Sequence, residues 1–220
     1  MGSAAFSLIE LLVVISIVAV LASLLLVAIP LVKSSIKQTQ CLSNQHQLYL
    51  AMASYHADFD ELVPLTSGTT VMKEPFWNQL LLAYVDADTN YIQWKLRTPW
   101  KMPRVFYDPA ANHNYLRGDI GVMYDDVVGP IRNTKPSLTL ATIRHQGSTI
   151  LLASVQQFMA DGTPIGSWFS PNTAAPQGVF TIPEIADRHR GGAIATFADG
   201  HTVWLLRSGL YATYLPFTNK

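Results

Sequence analysis

From Leu11 to Val32 the chain is apolar apart from Ser16, Ser23 and Pro30, and a single carboxylate, Glu10, stands at the head of the run. Twenty-two residues rising 1.5 Å each give a helix of about 33 Å, enough to cross the hydrocarbon core of a bilayer. A carboxylate deep in lipid costs about 2.5–3.5 kcal/mol, so one placed here asks for a partner. Two readings stay open on spacing alone. Either Glu10 meets an opposite charge, or the run is an ordinary signal anchor whose Glu lies near the headgroups.

The residues Phe6-Ser7-Leu8-Ile9-Glu10, followed by the Leu/Val/Ile run, resemble the processing and methylation motif of type IV prepilins and type II secretion pseudopilins. The resemblance implies cleavage of the Ala5–Phe6 bond by a prepilin peptidase, methylation of the new Phe6 amine, and a role for Glu10 in placing the subunit in a filament. Physically, cleavage leaves an ammonium at the start of a membrane helix, one turn from Glu10. In an assembling filament the Glu10 of one subunit can then neutralise the Phe6 ammonium of a neighbour. Such a pair adds little against an apolar substitute, but removing one partner costs several kcal/mol, so it acts as a register device.

The chain departs from that pattern in three places. Ala5 stands where relatives have Gly, and Met1 to Ala5 carry no Lys or Arg; a shortened leader is expected. Lys33 and Lys37 alone would put the C-terminal side in the cytoplasm, whereas the motif puts it in the periplasm; the expectation follows the motif. Pro30 replaces the Pro that relatives carry at the position of Val27 and should loosen the helix there.

Past the apolar run, Lys33 to Gln47 contains no Pro or Gly. Leu48, Ala51 or Met52, Tyr55, Phe59 and Leu62 then recur at three and four residues, which marks one face of an amphipathic helix. One helix from Phe6 to about Asp58 is expected, roughly 80 Å long. Pro64 and Thr66-Ser67-Gly68-Thr69 end it, a short helix is read over Pro75–Val85, and the stretch from Asp86 to Asp119 reads mostly as loop. Gly121–Tyr124 and Thr149–Val155 look like strands, the second central. Asp161 to Gly178 reads as a long exposed loop that includes Trp168. Trp94, Trp100 and Trp168 either cover a small β-core or present exposed aromatics to a partner or glycan.

The second sharp feature is His189 to Leu205. Asp199-Gly200 between two strand-like runs signals a hairpin with strands near 193–198 and 201–206, its turn needing positive φ at both central residues. His189, nine residues, then Asp199-Gly200 resembles the His-x9-Asp-Gly ending of a large pseudopilin-like family. In that family a Cys-Pro pair often stands where this chain has Asp108-Pro109, which leaves Cys41, the only cysteine, without the partner the resemblance would supply. His189, Asp199 and His201 are the candidates for a metal, with Asp187 nearby; zinc needs three or four ligands converging at about 2 Å. The alternative is a structural hairpin whose Asp and His bond backbone, and no cofactor is expected.

Composition adds limits. Fifteen basic and 15 acidic residues cancel, so nothing favours a nucleic-acid surface. About 185 residues remain outside the membrane run, enough for one modest core. The expected fold is α+β, a pilin-like lollipop. It comprises a leader (1–5), a transmembrane half-helix (6–32), an amphipathic half (33–60) and a β-rich head (61–220) on a small antiparallel sheet. The expected function is structural: a non-enzymatic pseudopilin or pilin-like subunit of a type II secretion or type IV filament machine. It would be single-pass in the inner membrane with a periplasmic head. Its partners would be the peptidase, other pilin subunits, the inner-membrane assembly platform and the lipid bilayer. The rivals are a membrane-tethered periplasmic binding protein that never polymerises and a metal-dependent hydrolase.

Overall fold

A computed structural model of the chain describes residues 7–60, 77–85, 102–111, 119–123, 139–143, 145–156, 168–169 and 184–206. The chain divides into two compact units, Met1–Lys37 and Gln38–Lys220. Helix α1 spans Leu8–Phe59, close to the limits that hydrophobic spacing predicts.

In the first unit every residue of α1 up to Lys33 is exposed, although most are Leu, Val or Ile. A segment apolar on all sides is stable as a helix only in an apolar surround, and this one is long and apolar enough to cross a membrane. Its two hydroxyls are satisfied inside the helix, Ser16 donating to the Leu12 carbonyl and Ser23 to the Val20 carbonyl, both at 2.7 Å. That arrangement suits a segment with no water to bond. The helix continues through Pro30, whose missing N–H removes one backbone hydrogen bond.

In the second unit the helix becomes amphipathic. Cys41, Gln45, Leu48, Ala51, Met52 and Tyr55 are buried, and the last four join a core with Trp77, Leu81, Phe106, Ile120, Leu151 and Phe197. Phe59, expected on this face, is 52% exposed and lies against Tyr55 with ring centroids 4.6 Å apart. The short helix expected over 75–85 is described from Trp77 and is two single turns, α2 (Trp77–Leu80) and α3 (Leu82–Val85), interrupted at Leu81.

The sheet comprises β1 (Ile120–Met123), β2 (Ile150–Gln156), β3 (Trp168–Phe169), β4 (Glu184–Ile185), β5 (Gly192–Phe197) and β6 (Thr202–Leu206). Its order is β3-β1-β2-β5-β6, with β4 pairing the end of β2. All pairings are antiparallel except β1 with β3. That parallel pair corrects the loop expected over 161–178, because Trp168 and Phe169 sit in register with Val122 and Met123. β5 is buried along its whole length and β2 from Ile150 to Val155, as the continuous apolar run of β2 suggests. The fold is thus α+β. Expectations at Ala5, Phe6, Leu62, Trp94 and Trp100, and those for the segments around them, lie outside the described residues.

The C-terminal hairpin forms, but with different turns from the expected one. At its tip Phe197 donates to the His201 carbonyl and Gly200 to the Phe197 carbonyl, both at 2.9 Å. Only Gly200 there has positive φ, +91°. This is a three-residue loop closed by a glycine, not a two-residue turn. The turn with two positive φ values lies earlier, at Arg190 (+54°) and Gly191 (+76°), where His189 and Gly192 exchange both backbone hydrogen bonds at 3.0 Å.

Gly200 is required twice over. A Cβ there would stand 2.5 Å from the Tyr49 ring of α1, besides the left-handed strain of about 1–2 kcal/mol. Gly200→Ala is therefore expected to destabilise the full chain by at least ~2 kcal/mol, read as a lower urea midpoint in detergent. An unchanged midpoint would refute this packing.

Candidate functional site

Three segments far apart in sequence meet in one buried cluster. The first is α1, which carries Cys41 and Gln45 one turn apart on its buried face. The second is the chain after a 3-10 turn at Arg104–Phe106, which presents Asp108; Asn44 of α1 holds it by donating to the Tyr107 carbonyl at 2.9 Å. The third is the Arg190-Gly191 turn, which aims His189 inward and is fixed by Trp204 Nε1 donating to the His189 carbonyl at 2.6 Å. Gly192 lets that indole approach: a Cβ there would meet Trp204 at 2.6 Å and the Leu205 carbonyl at 2.5 Å.

His189 Nε2 lies 3.1 Å from both carboxylate oxygens of Asp108. Ala110 donates its N–H to Asp108 Oδ1 at 2.8 Å, and Arg188 Nη1 stands 3.7 Å from Oδ2. Burial would raise the Asp108 carboxyl, but the hydrogen bond and charge of His189, then Ala110 and Arg188, hold it below the usual carboxylate range. Arg188 also donates to the Val155 carbonyl at 3.0 Å, tying the group to β2.

Cys41 is fully buried and its Sγ lies 3.4 Å from Ser154 Oγ. Burial first, and the Asp108 charge second, push its thiol far above the ordinary range. Free of metal it is a neutral, weakly nucleophilic thiol. Gln45 completes the seam. Its Nε2 donates to the Ile194 carbonyl at 3.0 Å and its Oε1 accepts from Thr196 Oγ1 at 3.2 Å. Cys41 and Gln45, the two polar side chains of this seam on α1, thus each have a partner, as burial demands.

The residues singled out in the sequence are distributed as follows. His189 belongs to the cluster with Asp108. Asp199 and His201 pair with each other at the exposed hairpin tip, where Asp199 Oδ1 accepts the His201 N–H at 3.1 Å and the His201 ring stacks on Phe197. His189, Asp199 and His201 are therefore held in two separate arrangements. Among the described residues, the one group of three metal-capable side chains with converging atoms is Cys41, Asp108 and His189. Sequence reading missed Cys41, Asp108, Arg188, Ser154 and Gln45 as site residues, taking Cys41 for a packed thiol; the only signal was the unusual Asp108-Pro109, since nothing in spacing joins them. At the other end, Glu10 Oε2 accepts the Ser7 N–H at 2.9 Å. That is the reciprocal half of a capping box, Ser-x-x-Glu.

The depressed Asp108 carboxyl sets the sign of a pH effect. Its stabilisation is fully present above the unfolded carboxyl value near 4 and fades as pH falls through the lower folded value. With chelator present, Asp108→Asn is expected to cost about 3 kcal/mol at pH 7, because it leaves buried His189 and Arg188 without their counter-charge. Its deficit against wild type should shrink below about pH 4. Urea midpoints at pH 7 and pH 3 check both parts, and equal midpoints at pH 7 would contradict the assignment.

Family models, curated proteins and solved structures offer no match to this chain, so the site is read from its own geometry.

Proposed function

We propose that the chain is a pilin-like filament subunit of the type II secretion or type IV class, acting mechanically and not catalytically. The observation that carries this is Glu10. It is the one charged residue in a stretch of α1 that is almost wholly apolar and exposed on every side from Leu8 to Val32. Packing such helices together hides their apolar faces, and a carboxylate carried into that bundle needs a cation from outside its own helix. After cleavage at Ala5–Phe6, the Phe6 amine of a neighbouring subunit supplies it. On this reading the leader lies in the cytoplasm, α1 crosses the inner membrane once, and the sheet unit is periplasmic. The prepilin peptidase and the assembly platform are the partners.

One observation favours a second reading, a tether that stays monomeric. Ser7 already gives Glu10 a capping role, worth about 1 kcal/mol or less without any neighbour. The hydrolase alternative relied on His189, Asp199 and His201 acting together, and these side chains are committed to different partners.

Glu10→Ala separates the two readings. The helix remains apolar enough to insert and the sheet unit remains folded. Cross-linking in membranes of the native host should give a ladder of multimers from wild type and mostly monomer from Glu10→Ala. Equal ladders from both proteins would reject the role of Glu10, and no ladder from either would favour the tether.

A further inference from the structure

We propose that Cys41, Asp108 and His189 form a binding site for a divalent transition metal of the zinc class, which staples α1 to the two segments packed on it. The site stands whether or not the chain assembles into a filament. The three side chains offer one sulfur, one oxygen and one nitrogen ligand, all within 4.8 Å of one another. A thiolate with imidazole and carboxylate selects zinc over magnesium or calcium, which prefer all-oxygen sites. Ligands at zinc distances of about 2.0–2.3 Å stand roughly 3.3–3.7 Å apart in a tetrahedron. His189 Nε2 and Asp108 Oδ1 are already 3.1 Å apart and Cys41 Sγ lies within 4.8 Å of both, so closure needs shifts of about 1 Å.

The surroundings suit a metal. His189 turns Nε2 toward Asp108, and that nitrogen can offer its lone pair to a metal once it gives up the proton it shares with the carboxylate. Asp108 would bind through Oδ1 and leave Oδ2 to the Arg188 guanidinium, whose Nη1 lies 3.7 Å away. Ser154 Oγ and Gln45 Nε2, at 3.4 and 4.0 Å from Cys41 Sγ, are placed to donate to a thiolate. Such outer contacts tune metal sites. Binding converts the Cys41 thiol to a metal-bound thiolate and frees His189 Nε2 of its proton, which passes to solvent or to the other ring nitrogen, while the thiol proton goes to solvent; no bond to carbon changes and nothing is oxidised or reduced.

The single cysteine makes the test direct. Cobalt(II) added to the chelator-stripped full chain in detergent should bind once per chain. It should give a near-ultraviolet thiolate-to-cobalt charge-transfer band together with the visible bands of tetrahedral cobalt, and zinc should displace it. Only Cys41 can produce the thiolate band. Ser154→Ala, which keeps the ligands, is expected to weaken cobalt binding roughly tenfold, and Cys41→Ser should abolish the band. Failure of the wild-type protein to develop the band would overturn the proposal. So would cobalt binding that neither Cys41→Ser nor Asp108→Asn alters, which would place the metal elsewhere.

Discussion

The contact between Asp108 and His189 fixes how the second unit is put together. A carboxylate removed from water loses several kcal/mol of hydration, which only close hydrogen-bonded partners return. Here the partners come from the Arg188-His189 segment and from the Ala110 N–H, so Asp108 is satisfied only when its own loop and the approach to β5 are both in place, and Asn44 of α1 holds that loop through the Tyr107 carbonyl. Apolar contacts among Leu48, Met52, Phe106 and Phe197 supply the bulk of the driving force. They also turn the apolar face of α1 toward the sheet. The polar seam sharpens that choice, because a turned helix would part Gln45 from the Ile194 carbonyl and Thr196.

This division of labour explains the spaced His and Asp-Gly near the C-terminus. The nine residues between them measure out one β-hairpin arm and the return to its tip. His189 enters the buried cluster at the start of β5, while Asp199 and Gly200 close the loop after it. Gly200 passes under the Tyr49 ring, whose hydroxyl donates to the Ala198 carbonyl at 3.2 Å. Both ends of β5 are thereby fastened to α1 or to the loop lying on it. The motif is a pair of fastenings on one strand, and its members have no need to touch.

What the sequence made legible follows from the range of the forces involved. Helix α1 was readable because three- and four-residue spacing and an unbroken run without glycine are local facts. β2 and the hairpin strands were readable for the same reason. The turn types were not: positive φ at Arg190 is imposed by the hydrogen-bonded exchange between His189 and Gly192, and arginine carries no propensity that announces it. Trp168 read as loop because a two-residue strand has no periodicity. The cluster itself was the least legible, since Cys41, Asp108 and His189 share no spacing and meet only through packing. The Asp108 position was flagged for a missing cysteine, and the structure places its carboxylate beside Cys41 all the same.

The functional account stands on the first unit, where an all-round apolar helix carries one acid near its start. If that acid serves assembly, the amine it pairs with must first be made by proteolysis. The most direct measurement is the intact mass of the protein extracted from membranes of its native host. The account predicts a chain beginning at Phe6 and carrying one N-methyl group, whereas a membrane-bound chain that retains Met1 to Ala5 would contradict it.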